Sequence, residues 1–365
     1  LRDPAVRAYI MDSYSPQGLP DRLPGRWIAE GAWPGPSVEA NRLYLTATGL
    51  GGEPGEETTL NIASPQTVGR DGGEFCVIWL GPEFAGDQAA DDAGSLTFDT
   101  APLGTAVDLV GAPVLELEFS VDKPVALVAV RLSDVRPDGS VTRISYALQN
   151  LTHIVSHEHP EALEPGERYF ARIKLDDIAW HLPEGHRLRL SISTSYWPMM
   201  WPAPEPVELS VHTARSWLTV PLRPRLPDER EPVFEEPVSA PPVVLEEVRP
   251  PFHKREQTED PATGGVIIEI VDDFGMYRET NHGLVSGGVG RETHAIQPDD
   301  PLSARMSTHW TEEMIRDDVH VRTETYSAMR ASQTQFHLTA RIEAYLNDEL
   351  VFERDFAEDI DRDLN

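Results

Sequence analysis

The sequence predicts an all-β fold in two parts, a jelly-roll sandwich followed by a second antiparallel β domain. Three observations carry this. Apolar and polar residues alternate with period two in many short runs, as in Leu115, Leu117 and Phe119 against Glu116, Glu118 and Ser120, which is the pattern of a strand with one buried face. Turn signals punctuate these runs, among them Pro137-Asp138-Gly139, where proline presets φ and glycine supplies a positive φ for a tight β connection. Between the two parts lies a break, Pro221 to Pro261, holding ten prolines and many glutamates. Proline cannot donate to a sheet ladder and stiffens an extended chain. The expected organisation is a sandwich over residues 1–222, a Pro/Glu-rich linker over 223–262 and an antiparallel meander or half-barrel over 263–365.

Taken in order, Val6, Ala8 and Ile10 alternate as a first strand and Leu43-Tyr44-Leu45 reads as another, with Gly49 to Gly55 as a loop. Residues 64–95 mix Gly, Asp and Ala around the aromatic run Phe75 to Trp79, and the acidic stretch Asp87 to Gly94 reads as a loop too polar for the core. Val125 to Val130 is apolar on both faces and belongs deep inside. Leu188, Leu190 and Ile192 against Arg187, Arg189 and Ser191 form a further half-buried strand, followed by Val207 to Val211 and Ser216 to Val220. Beyond Gly264-Gly265, strands run from Val266 to Ile270, through Val319 and Val321, to Phe336 to Ala344, with Asn347-Asp348 turning a hairpin into Leu350 to Phe356.

The 365 residues suffice for two cores. A formal charge of −30, from 61 acidic against 31 basic residues, argues against nucleic acid or an anionic membrane as partner, since both require a basic face. The single cysteine, Cys76, can form no internal disulfide, which fits a reducing compartment and a cytoplasmic location. No apolar run approaches the roughly 18 residues of a membrane span. The chain opens at Leu1 without a methionine or a signal peptide, and is expected to be a fragment.

A series of short motifs carries a family resemblance. Pro24-Gly25-Arg26-Trp27 with Trp33-Pro34 comes first, then Leu96 to Leu103, Asp134 to Gly139, Pro165-Gly166-Glu167, Gly185-His186-Arg187 and the Ser193 to Pro198 segment. In this order they resemble the C-terminal β-sandwich of the CocE/NonD hydrolases, the group containing bacterial cocaine esterase, α-amino-acid ester hydrolases and X-Pro dipeptidyl-peptidases. The resemblance covers roughly residues 1–222, and Val351 to Arg354 with Asp361 to Asp363 is similar to the tail of longer members. It implies a galactose-binding-like fold for the sandwich and a preceding α/β-hydrolase domain with a Ser-Asp-His triad. No serine here sits in the Gly-x-Ser-x-Gly turn that lifts such a nucleophile, because Gly35-Pro-Ser37-Val-Glu39 fails at its last glycine. No catalytic residue is therefore carried over.

The resemblance implies a non-catalytic C-terminal portion of a serine hydrolase that caps or shapes the active site of an absent α/β domain. The parent would take a small ester or amide substrate of the dipeptidyl-peptidase or acylesterase type. The alternative is an independent carbohydrate-binding sandwich, with Trp27, Trp33, Trp197 and Trp201 stacking on sugar rings; aromatics between prolines more often plug a sandwich or pack on a partner domain. Phe75, Val77 and Trp79 follow Gly72-Gly73 at a place similar to the family's loop toward the catalytic cleft; an ordinary core strand is the competing reading. Cys76 is expected to be a small buried hydrophobe. On a strand His153, His157 and His159 would share a face, but zinc ligands are usually set by a helix turn or separate elements, so polar loop histidines are expected, with no metal and no cofactor. The expected partners are the absent catalytic domain and, through the surface left uncovered, a homo-oligomer.

Overall fold

In the computed structural model the described residues are 3–16, 22–78, 83–226, 229 and 231–365. They divide into two compact units, residues 1–235 and 236–363. The fold is nearly all β, as the alternating runs predict, and among the described residues no helix is long and apolar enough to cross a membrane.

The first unit holds β1 Val6–Asp12, β2 Gly25–Glu30, β3 Glu39–Thr46, β4 Gly49–Gly51, β5 Thr59–Ile62, β6 Leu96–Asp99, β7 Val107–Gly111 and β8 Val114–Val121. It continues with β9 Leu127–Val135, β10 Val141–Asn150, β11 Tyr169–Lys174, β12 Ile178–Leu182, β13 Arg187–Ser193, β14 Leu209–His212 and β15 Trp217–Arg223. Among the described residues these strands form an eleven-stranded sheet ordered β2-β1-β12-β7-β15-β8-β14-β5, with β11 beside β8, β3 beside β15 and β4 beside β3. A four-stranded sheet, β10-β9-β13-β6, completes the sandwich. All pairings of the unit are antiparallel except β1 with β12. Gly49–Gly51, expected as loop, pairs back on β3 because Gly49, at φ 137°, reverses the chain there.

The core lies between the sheets. Leu115, Leu117 and Phe119 of β8 face Val128, Val130, Leu190 and Ile192 of the smaller sheet, all buried. Each such side chain contributes about 1.5–3 kcal/mol on full burial. Strand β9 is buried along its whole length, so its polar members need internal partners. Asp134 is one: it accepts from Trp180 Nε1 at 3.3 Å and pairs with His186 Nδ1 at 2.7 Å. The Asp134 and Gly185-His186-Arg187 motifs thus supply two halves of one buried polar contact. Gly139, at φ 90°, closes the β9–β10 hairpin with its N–H on the Arg136 carbonyl.

The second unit is one eight-stranded antiparallel sheet, among the described residues, of β16 Leu245–Arg249, β17 Phe252–Glu259, β18 Val266–Glu279, β19 Val285–Gln297, β20 Asp300–Arg316, β21 Val319–Ala331, β22 Gln335–Leu346 and β23 Glu349–Asp361. From β18 to β23 it is a meander in which each strand pairs with the next. Asn347 (φ 49°) and Asp348 (φ 66°) take the left-handed conformation that matches a two-residue hairpin to strand twist. Residues 245–259, expected as linker, are instead strands on the edge of β18. Apart from Pro250 and Pro251 between them, β16 and β17 contain no proline, so every residue keeps its ladder N–H.

Candidate functional site

The feature of the first unit that calls for explanation is an apolar loop on a buried ionic base. Phe75, Cys76, Val77 and Ile78 are all exposed, Phe75 at 81% and Ile78 at 56%. They form no strand, which corrects the core-strand alternative, and Cys76 is exposed where a buried hydrophobe was expected. The physical reason is that the stem on either side, not the loop, makes the contacts with the sandwich. Trp79 lies outside the described residues.

The stem closes by Glu74 N–H donating to the Glu83 carbonyl at 2.9 Å, by Gly86 N–H donating to the Asp71 carbonyl at 2.9 Å and by Ile78 N–H donating to the Glu83 carboxylate. Gln88, fully buried, donates its Nε2 to the Asp71 and Gly86 carbonyls at 2.7 and 3.0 Å. Its Oε1 accepts from Arg131 at 3.3 Å and from the Tyr196 hydroxyl at 3.2 Å. Gly69, at φ 108°, passes so close to Tyr196 and Trp197 that a Cβ would stand 2.4 Å from the Tyr196 carbonyl carbon. Only glycine fits there.

Behind the stem, the stretch expected as a loop too polar for the core forms a short helical turn, α1 Ala89–Asp92, with Asp91 and Asp92 buried. The correction has an electrostatic cause: two arginines of the smaller sheet reach it. Arg131 of β9, with no exposed surface, lies 3.0 Å from Asp92 and 3.7 Å from Asp91, donates to Ser95 Oγ at 2.7 Å and covers the Tyr196 ring. Arg189 of β13 forks onto Asp99 at 2.6 and 2.7 Å and donates to Asp92 at 3.0 Å, while Ser191 Oγ donates to Asp92 at 2.7 Å. Asp91 accepts the Gly69 and Asp71 N–H groups at 2.9 and 3.3 Å. Burial nonetheless pushes its carboxyl up to about 6, with Arg131 pulling the other way. None of Gln88, Asp91, Asp92, Arg131 or Arg189 was singled out from the sequence. A signal existed: an arginine in a strand apolar on both faces must find a carboxylate.

The four tryptophans do not form one platform. Trp197 is buried and meets Trp201 edge-on at 5.2 Å, which corrects its placement on an uncovered surface. Trp27 packs edge-on between Tyr9 at 5.2 Å and Phe234 at 4.8 Å, and Trp33 walls a separate 400 Å³ cleft with Pro34, Val38 and Pro221. The histidine cluster lies on a short 3-10 turn, Leu151–His153, and the bend after it, not on a strand; His153 and His157 meet through their Nδ1 atoms at 3.3 Å.

A serine and a histidine do touch, Ser120 Oγ and His212 Nε2 at 3.1 Å. The other ring nitrogen meets the Thr59 hydroxyl at 3.1 Å, not a carboxylate that could steady an imidazolium. Burial, and then Arg168, hold His212 below its ordinary range, against its use as a charged relay. Ser120 is the next-to-last residue of strand β8 rather than the apex of a sharp turn.

The sandwich, its buried polar scaffold and its projecting loop define an all-β domain in which the Ser120–His212 contact lacks the third member of a triad. A family described as the X-Pro dipeptidyl-peptidase C-terminal non-catalytic domain matches residues 1–228, and the chain belongs to that family. Among solved structures it is similar to an α-amino acid ester hydrolase (21% identity, TM-score 0.49, covering 54% of this chain and 39% of that one). It is similar also to an aminopeptidase from a marine sediment archaeon, Thaumarchaeota archaeon (18%, TM-score 0.47, 54% and 38%). A third is a CocE/NonD family hydrolase from Staphylococcus aureus (15%, TM-score 0.46, 60% and 41%). The chain thus spans about two-fifths of the length of each of these structures. No curated protein matches.

Proposed function

We propose that this chain is the non-catalytic C-terminal portion of a CocE/NonD-type serine hydrolase, and that Phe75, Val77 and Ile78 dock it against an α/β-hydrolase domain and help wall its acyl or peptidyl site. The observation that carries this is an apolar loop left in water on a stem that the buried network holds rigidly. Leaving such side chains exposed forfeits burial free energy, and exposed apolar patches of this kind mark contacts. Membership of a family described as non-catalytic agrees with the incomplete Ser–His contact. Chemistry then belongs to the other domain: serine attack, proton shuttling by histidine, and an oxyanion held by backbone amides.

The chain by itself is expected to hydrolyse neither p-nitrophenyl esters nor X-Pro amides above the buffer rate. Turnover that vanishes in Ser120→Ala would show a catalytic centre within this chain and overturn the reading.

In a polypeptide that carries the catalytic domain ahead of this chain, Phe75→Ser with Val77→Ser and Ile78→Ser should lower kcat/KM, each lost contact costing about 1–3 kcal/mol. The melting temperature of the isolated chain should fall only modestly, since Phe75 is mostly exposed and Val77 and Ile78 are partly so. Unaltered kinetics in the joined polypeptide would remove the loop from any role at the active site.

A further inference from the structure

The second unit carries a trough that none of this explains. On one face of its sheet a row of small side chains runs straight across five strands, in register: Thr293, Ser307, Ala328, Thr339 and Ala357. The rows two residues away on either side are larger, except at Ala295 on β19. One wall carries Arg305, Arg330, His337 and Asp359, and the other Arg291, His309, Tyr326, Arg341 and Asp355. Small residues between large ones leave two adjoining cavities, of about 560 and 650 Å³, that share this floor. Strand spacing makes the floor about 19 Å long, and the walls stand about 14 Å apart between their Cα atoms.

The charges on the walls are uneven. Toward β23 they are neutralised: Arg341 holds Glu343 and Glu353 at 2.7 and 2.6 Å, and His337 holds Asp359 at 2.6 Å. Toward β19 to β21 His309 meets Glu324 at 2.7 Å, but three arginines are not neutralised. Among the described residues Arg291, Arg305 and Arg330 have no ion-pair, hydrogen-bond or ring partner, in a chain with 61 acidic and 31 basic residues. Arg305 and Arg330 stand directly opposite each other on neighbouring strands, a like-charge pairing that destabilises a sheet unless an anion lies between.

We infer that this trough binds an extended acidic peptide segment. An extended chain advances about 3.3 Å per residue and turns alternate side chains to opposite sides, so five or six residues fill the floor. Carboxylates on one side meet Arg305 and Arg330, and those on the other meet Arg291, as charge-assisted hydrogen bonds. The hydroxyls of Thr293, Ser307 and Thr339 line the floor at the level of the peptide groups. The net negative charge of the whole chain opposes this only weakly at physiological salt, where screening sets in beyond about 8 Å.

The test is fluorescence anisotropy of fluorescein-labelled hexaglutamate with the whole 365-residue chain, hexaglutamine serving as the neutral counterpart. Hexaglutamate should bind at least about tenfold more tightly than hexaglutamine, and Arg305→Gln with Arg330→Gln should erase that difference. Arg354→Gln, on the opposite face of β23, should leave binding within about twofold, the scatter expected of a surface charge outside the site. Ser307→Trp and, independently on another strand, Thr339→Trp should abolish binding by filling the floor, so misfolding of one variant leaves the other to decide. Equal binding of the two peptides overturns the inference, as does full binding by either tryptophan variant that melts normally, which would mean diffuse attraction only. Dodecanoate binding that needs the two arginines, without peptide binding, overturns it in favour of a lipid anion.

Discussion

Replacing Arg131 by methionine should lower the unfolding free energy of the first unit by about 3–5 kcal/mol, the range for stripping one partner from a buried charge network. Methionine replaces only the aliphatic stem of the side chain and gives up the guanidinium that covers the Tyr196 ring. What it removes is the charge that faces Asp91 and Asp92, two carboxylates with almost no access to water. Arg189 still reaches Asp92, so Asp91 is the group left bare. Urea denaturation followed by tryptophan fluorescence measures the loss. Limited proteolysis should show cleavage between Gly69 and Gln88 well below the global midpoint, because the stem of the Phe75 loop hangs from these groups. A loss under about 1 kcal/mol, within the range of an exposed ion pair, would mean that water reaches the network.

The second large effect is a pH dependence with an unusual sign. Most paired carboxylates stabilise a fold as pH rises; Asp91 should do the reverse. Burial lifts its carboxyl to about 6 in the folded chain, above its ordinary unfolded value, so the folded state holds the proton more tightly. Stability from this group is complete below the unfolded value, near pH 4, and is lost as pH rises through about 6. The difference amounts to about 3 kcal/mol. Asp91→Asn retains an acceptor for the Gly69 N–H and cannot titrate. The change in unfolding free energy between pH 4 and pH 7 should therefore differ between the native chain and the variant by roughly that amount, while other carboxylates cancel. Parallel stability curves would show that Arg131 alone keeps Asp91 ionised.

The sheets were legible in the sequence wherever burial is one-sided. Leu115, Leu117 and Phe119 alternate with polar residues because one face of β8 meets the core, and Val266, Ile268 and Ile270 do so on β18. Sequence periodicity cannot report long-range pairing. Asp87 to Gly94 was misjudged because its partners, Arg131 and Arg189, lie some 40 and 100 residues away and reach it only after the smaller sheet forms. Residues 245–259 looked like linker because Pro250 and Pro251 dominate the local composition, while the pairing that makes them strands comes from β18. Of the candidate site, the exposed run Phe75 to Ile78 was legible and the base that presents it was not. Trp197 and Cys76 were placed on the wrong sides of the surface, since a residue's type does not say whether neighbouring backbone will cover it.

Strand β15 fixes the order in which the molecule can be made. It runs antiparallel to β3, β7 and β8, and so joins residues 39–44 to residues 108–116 in one sheet. A ribosome releases β15 after the rest of the sandwich has emerged, so the larger sheet stays split until residue 223 clears the exit, with Leu115 able to pair with Ile173 but not yet with Leu218. Non-local pairing of this kind is slow and leaves apolar strands open to aggregation during synthesis. The meander from β18 to β23 needs no such wait, since every hairpin closes on its immediate predecessor. During translation the meander can therefore close strand by strand as it emerges, whereas a nascent chain halted before Trp217 should keep the facing edges of β7 and β8 open to aggregation.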